Sequence, residues 1–189
     1  MLAMIAIFMA GFSLAIDALL LYGKRVREDK RAATALATAK KTLIAYAVVR
    51  GVPLPCPFLG TVQSYLDGPA NPAGACGNPD IGLLPWTALQ LPPLRDGENA
   101  PIWYARADCT TDVLKLDGMP AIVTDPYYAA ILIAPGGPLS GQTRVLTDPV
   151  SNAMRDTYLE QAPFDFVLTG GVPSTFNDRV LGILCSELR

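Results

Sequence analysis

Leu2 to Leu21 reads LAMIAIFMAGFSLAIDALLL, twenty residues that carry a single charge, Asp17. Wound as an α-helix at ~1.5 Å per residue, the run spans ~30 Å, the thickness of a bilayer's hydrocarbon core. A helix is the one single-segment structure that satisfies its own backbone polar groups in lipid. The run is longer than the ~7–15 apolar residues of a secretory signal peptide. No basic stretch precedes it, and no small-x-small cleavage pattern follows before Lys24. A buried helix of a soluble domain is the other ordinary source of such a run, but its length and uniformity favour a retained membrane helix.

Outward from this run, Gly23 is followed by KRVREDKR, five basic residues and two acidic ones. Such a cluster ordinarily anchors a helix at the membrane boundary; recognition of lipid headgroups is the less common role. AATALATAKKTLIAYAVV then supplies good helix formers. Ala32, Leu36, Ala39, Leu43 and Ala47 recur at three- and four-residue spacing, one apolar stripe on a helix. The first breakers after Gly23 are Gly51 and Pro53. The pattern predicts one helix from about residue 2 to about residue 49, ~70 Å long. Its apolar half would be a stalk, and its amphipathic half would pack Leu36, Leu43 and Ala47 under a sheet containing residues 128–133.

The chain has 189 residues and a net charge of −2, and nearly all its seventeen prolines and sixteen glycines lie after Val49. That shift divides the helix, residues 1–50, from a loop-rich head, residues 51–189, large enough for a core of its own. The absence of a basic surface beyond the helix argues against nucleic acid as a partner. The head contains all four cysteines, Cys56, Cys76, Cys109 and Cys185, with no CxxC pair, and the chain has no histidine. A zinc or haem site is therefore poorly supported, whereas disulfides in an oxidising compartment fit. Four cysteines allow three pairings, and spacing alone does not choose among them. The Gly-, Pro- and Asn-rich loop bracketed by Cys56 and Cys76 has most to gain from a staple, so Cys56–Cys76 with Cys109–Cys185 is the expected pairing.

Residues 53–85 show no periodicity and read as a stapled loop, followed by one ambiguous turn at 86–91. Asp96-Gly97 and Asp117-Gly118 are turn signals. Strand-like runs follow at 102–105, 113–117, 121–124, 127–134, 164–169 and 180–184. YYAAILIA at 127–134 is apolar on both faces, the mark of a central strand, and Pro135-Gly136-Gly137-Pro138 ends it. Residues 151–161 read as a helix capped by Ser151. A long helix followed by short strands gives an α+β class, with a small antiparallel-sheet head.

Catalytic chemistry is sparse. Without histidine, Ser-His-Asp triads are excluded, and the aspartates at 96, 108, 112, 117, 125, 165 and 178 fall mostly at turns, where they bond their own backbone. Gly136-Gly137-Pro138 and the 169–173 segment lack the strand and helix context of a phosphate cradle. No enzyme activity, cofactor or metal is expected. Asp17 is the costly residue, since a carboxylate in lipid needs a cation, an amine, a proton or nearby water.

The whole arrangement resembles a type IV pilin or a type II secretion pseudopilin: an apolar N-terminal helix, its amphipathic continuation, then a disulfide-bearing α+β head. The head's wording is similar to bacterial prepilin-like proteins at AKKTLIAYAVVRGVPLPCP (39–57), CGNPDIGLLPWTALQLPPLRDGENAPIWYA (76–105), APGGPLSGQ (134–142) and FNDRVLGI (176–183). The resemblance is collinear and covers nearly the whole chain. It implies a pilin-like fold and a structural subunit of a type IV pilus-like or pseudopilus filament. Such a subunit is held in the inner membrane with its head outward, then moves into an extracellular or periplasmic filament. Its partners would be copies of itself or other pilins, met through the helix. Ala3, Ala6, Ala10, Gly11, Ala15 and Ala18 would permit the close contacts, with Asp17 buried among them. The runner-up is a membrane-anchored periplasmic binding protein that never polymerises; a weaker third is an anchored enzyme or a glycan-binding module.

Two features depart from the family. Its processing pattern is a short basic leader ending in Gly, then Phe-Thr-Leu-Ile-Glu, with an acidic fifth residue. Gly11-Phe12-Ser13-Leu14 resembles it, but the fifth residue from Phe12 is Ile16, and Asp17 comes one later. Cleavage there would leave too short a membrane run, so the chain is expected to begin at or near its mature end, Met1, with Ile5 fifth. Some tip-type pseudopilins also lack the acidic residue. Secondly, basic residues after the membrane helix oppose the positive-inside rule for an exported head, which a removed basic leader would reconcile.

Overall fold

The computed structural model describes residues 2–59, 76, 80–107, 109, 115–117, 128–142, 144, 158, 159, 165–167 and 178–189, with backbone alone for 2–15, 17, 18, 80, 115–117 and 165–167. Helix α1 runs unbroken over Leu2–Arg50. It ends where the sequence stops favouring a helix. Gly51 takes a left-handed φ of 61°, and its N–H donates to the Ala47 carbonyl at 2.9 Å. That is a single αL closure, which glycine adopts without Cβ strain.

Four strands form an antiparallel sheet in the order β1-β2-β4-β6: β1 Asp80–Leu83, β2 Trp103–Arg106, β4 Tyr128–Ala134 and β6 Arg179–Leu184. Tyr104 lies opposite Leu132, and Leu132 opposite Leu181. A 3₁₀ turn, Cys185–Leu188, continues β6. β3 Lys115–Asp117 and β5 Asp165–Val167 make a separate pair, and it is parallel. The main sheet is antiparallel and the class α+β, as expected from sequence, and the β3–β5 pair adds a parallel element that the expectation did not include.

The strand at β1 also corrects that expectation, which left residues 53–85 as loop. Its composition is weak, and its pairing is tertiary. Leu83 exchanges both backbone hydrogen bonds with Phe58, at 2.8 and 3.0 Å, while its other edge pairs with β2. A Cβ at Gly82 would overlap the Phe58 carbonyl oxygen, so the approach requires glycine. Of the other expected elements, the 102–105, 127–134 and 180–184 runs appear as β2, β4 and β6, each within a residue at either end. The 113–117 and 164–169 runs appear in part, as β3 and β5. The 121–124 strand and nearly all of the 151–161 helix lie outside the described residues.

The sheet is covered on both faces, which is why every residue of β4 is buried. On the helix face, Ala32, Leu36, Ala39, Leu43 and Ala47 pack with Tyr104, Ala130, Leu132 and Ile183. Alanine at most of these helix positions lets α1 lie close on the strands, and Leu43 fills the gap with no exposed surface. The opposite face buries Trp103, Ile131, Ile133, Tyr158 and Val180. Trp103 and Tyr158 rings lie 5.8 Å apart. Period-two alternation along β2 and β4 sends successive side chains to the two cores.

Candidate functional site: the exposed half of the helix and the head that braces it

Below the head, α1 has no cover among the described residues. Leu19, Leu20, Leu21 and Tyr22 are 62–70% exposed. Four consecutive exposed residues cover every side of a helix, so α1 is bare all round over this turn. By length and composition α1 is long and apolar enough to cross a membrane. Ala3, Ala6, Ala10, Gly11, Ala15, Asp17 and Ala18 lie on its helical backbone. The 3.6-residue period places Ala3, Ala6, Ala10 and Asp17 on one face and Gly11, Ala15 and Ala18 on a neighbouring one. Their side chains lie outside what is described.

The upper half is fixed by more than its apolar stripe. Lys40 Nζ donates to the Gly182 carbonyl and to Glu187 Oε2, both at 2.9 Å, and the same Oε2 accepts the Leu184 N–H at 2.8 Å. This half-buried ion pair ties α1 to β6 and the C-terminus together. Arg179 reaches Asp29 at 2.6 Å from the other end of β6.

At the base of the head two loops meet each other, and one of them rests on the helix. Asp96 is buried, and its carboxylate is filled by backbone donors: Oδ1 accepts the N–H groups of Glu98 and Ala100 at 2.9 and 2.8 Å, and Oδ2 accepts that of Gly136 at 2.8 Å. Burial pushes its carboxyl above the ordinary value, while the three N–H donors and Arg144 pull the other way. Its oxygens are engaged within the chain, so Asp96 joins two loops. Arg144 holds the second loop by donating to the carbonyls of Pro135, at 3.0 Å, and Gly136, at 2.6 Å. The first loop rests on α1 at Gly97, where a Cβ would overlap the Glu28 backbone. Beside it Lys24 lies 3.2 Å from Glu28 and 3.7 Å from Glu98.

Both disulfides lie in the head: Cys56–Cys76 closes the Pro/Gly-rich loop, and Cys109–Cys185 ties the C-terminal turn to the end of β2. The Arg106 guanidinium donates toward the sulfurs of Cys56 and Cys76. Tyr104 donates its hydroxyl to the Pro55 carbonyl at 3.1 Å, and its full burial pushes the phenol well above its ordinary value. Among the described residues, no three His, Cys, Asp or Glu side chains converge to hold a metal ion. Lys40, Asp96 and Arg144 carry the bracing, and sequence reasoning did not single them out for it. Asp96 was legible as a turn aspartate, but its bond to Gly136 spans forty residues. No protein-family model, curated protein or solved structure matches the chain.

Proposed function

We propose that this chain is a non-enzymatic structural subunit of a pilus-like or pseudopilus filament, held in a membrane by the lower half of α1 before assembly. One observation carries the reading: a single unbroken helix buries one stripe of its upper half in the head and leaves Leu19, Leu20, Leu21 and Tyr22, on every side of it below the head, exposed. An apolar helix bare all round needs lipid or other helices around it. Leu gains little from meeting Leu in lipid, so close packing through Ala and Gly supplies the specificity of helix association. The resemblance of the chain to pilins and pseudopilins, collinear over the head, supports the same assignment.

The test is to replace Ala10 or Gly11 with Phe, which blocks close approach yet keeps the segment apolar. Each variant should reach the membrane with an oxidised head and be lost from the sheared surface fraction. A bulky change at Ser140, on an exposed loop of the head, should assemble normally. Normal assembly of both helix variants, or absence of the wild type from any filament fraction, favours the non-polymerising anchor instead.

A further inference from the structure

We propose that a cationic groove at the foot of the head seats the phosphate of an anionic phospholipid headgroup. Arg27, Lys30 and Arg31 on α1 and Arg95 on the 91–100 loop line one groove of about 500 Å³, over a floor that includes Ala35 and Leu94. The inference rests on reading the lower half of α1 as a membrane helix.

These four cations converge on one groove, whereas three other basic residues of α1 and β6 are held by carboxylates. Lys24, Lys40 and Arg179 each sit within ion-pair distance of a carboxylate. Among the described residues, Arg27, Lys30, Arg31 and Arg95 have no carboxylate partner. Arg27 commits one N–H to the Gly23 carbonyl at 3.3 Å, and Arg95 one to that of Asn99 at 2.9 Å. Four cations repelling one another around a shared space call for an anion, and guanidinium forks suit phosphate oxygens.

Position selects the source of that phosphate. Arg27 lies ~7.5 Å along the helix beyond Tyr22, and Arg31 ~13.5 Å. The headgroup layer outside the hydrocarbon core is ~5–8 Å thick. Side chains on a helix lean toward its N-terminus, here toward the bilayer. Long basic side chains therefore reach down to the phosphates from just above them, while Ala35 and Leu94 offer an apolar floor. Seating a lipid also compensates for basic residues on the outward side of a membrane helix, since each cation near an anionic surface adds attraction.

The test uses the full chain in lipid nanodiscs, with native mass spectrometry counting retained lipids. Wild type should retain phosphatidylglycerol over phosphatidylcholine by about tenfold or more. Lys30→Gln/Arg31→Gln, two exposed positions on α1, and separately Arg95→Gln should each lower that preference severalfold. Lys41→Gln, an exposed cation outside the groove, should leave it intact. Equal retention by wild type and the groove variants overturns the proposal. So does displacement of the lipid by millimolar inorganic phosphate, which would make the site one for free anion. Self-association in pure phosphatidylcholine that the double variant abolishes would assign the groove to a second copy and also overturn it. Resistance to carbonate extraction is measured on the same samples. Chain that inserts without lipid preference contradicts the groove alone, whereas chain that fails to insert contradicts the membrane reading beneath it.

Discussion

The two halves of α1 share one backbone conformation and have opposite surroundings. Around Leu43, which is fully buried, the helix presents one apolar stripe, and a four-stranded sheet covers it. Around Leu20, 65% exposed, apolar residues occupy every side, and nothing in the described chain covers them. A stripe is the signature of a helix completed by its own fold; an apolar cylinder is completed by something outside it. Between them lies a charged collar, Lys24 to Arg31, on which the loop at Gly97 and the start of β6 are braced. Helix propensity does not distinguish the halves. What differs is which partner removes each from water.

The sharpest way to break this comparison is to place the same charge in each half. Leu43→Asp puts an unpaired carboxylate where no water reaches and should unfold the head outright. Leu20→Asp should leave thermal melting of the head in detergent unchanged. Near-UV circular dichroism of the full chain reads both through Trp103 and Tyr104. A head that tolerated Leu43→Asp would refute the packing of α1 on β4 and β6.

Next in size is loss of the disulfide between Cys109 and Cys185, which are 76 residues apart. By loop-closure entropy its removal should cost roughly 4 kcal/mol, against ~3 kcal/mol for Cys56–Cys76. Urea unfolding of Cys109→Ala/Cys185→Ala and Cys56→Ala/Cys76→Ala measures the two. Both losses should fall on the head and leave the membrane-extracted fraction unaltered.

A smaller contrast uses two glycines near the collar. At Gly97 a Cβ would overlap the Glu28 backbone, so Gly97→Ala should lift the loop and cost ~1–3 kcal/mol, the usual cost of overpacking. At Gly23 nothing lies within 4 Å, and the residue is helical. Gly23→Ala should therefore stabilise, by up to ~1 kcal/mol. Thermal melts of the two variants should move in opposite directions. Smallest is Asp29→Ala, which removes a largely exposed pair with Arg179 and should change stability by less than ~1 kcal/mol.

The comparison also explains what was legible in the sequence. Helix bounds and stripe are local patterns, and the structure places α1 at Leu2–Arg50 with all five stripe residues buried. β4 was legible because both its faces are covered, which forces an apolar run. β1 was not, since Asp80-Ile81-Gly82-Leu83 becomes a strand only through Phe58 on one side and β2 on the other. The parallel pairing of β3 with β5 joins segments fifty residues apart and has no local mark. Arg95 likewise gives no hint in sequence that it lines a groove with Arg31, because the loop that carries it is positioned by Asp96 and Gly97. Local periodicity foretold the elements, and long-range bonds decided the sites.

The central claim is that the lower half of α1 meets other molecules while the upper half meets only its own head. Photocrosslinking tests it most directly, with a photoreactive residue placed at Leu20 or at Leu43 in the full-length chain in cells. The account predicts that the Leu20 probe joins lipid in the membrane fraction and a second copy or a different filament subunit in the surface fraction. The Leu43 probe should give only cross-links within one chain. Intermolecular products from Leu43, or a Leu20 probe that never joins another protein chain, would contradict it.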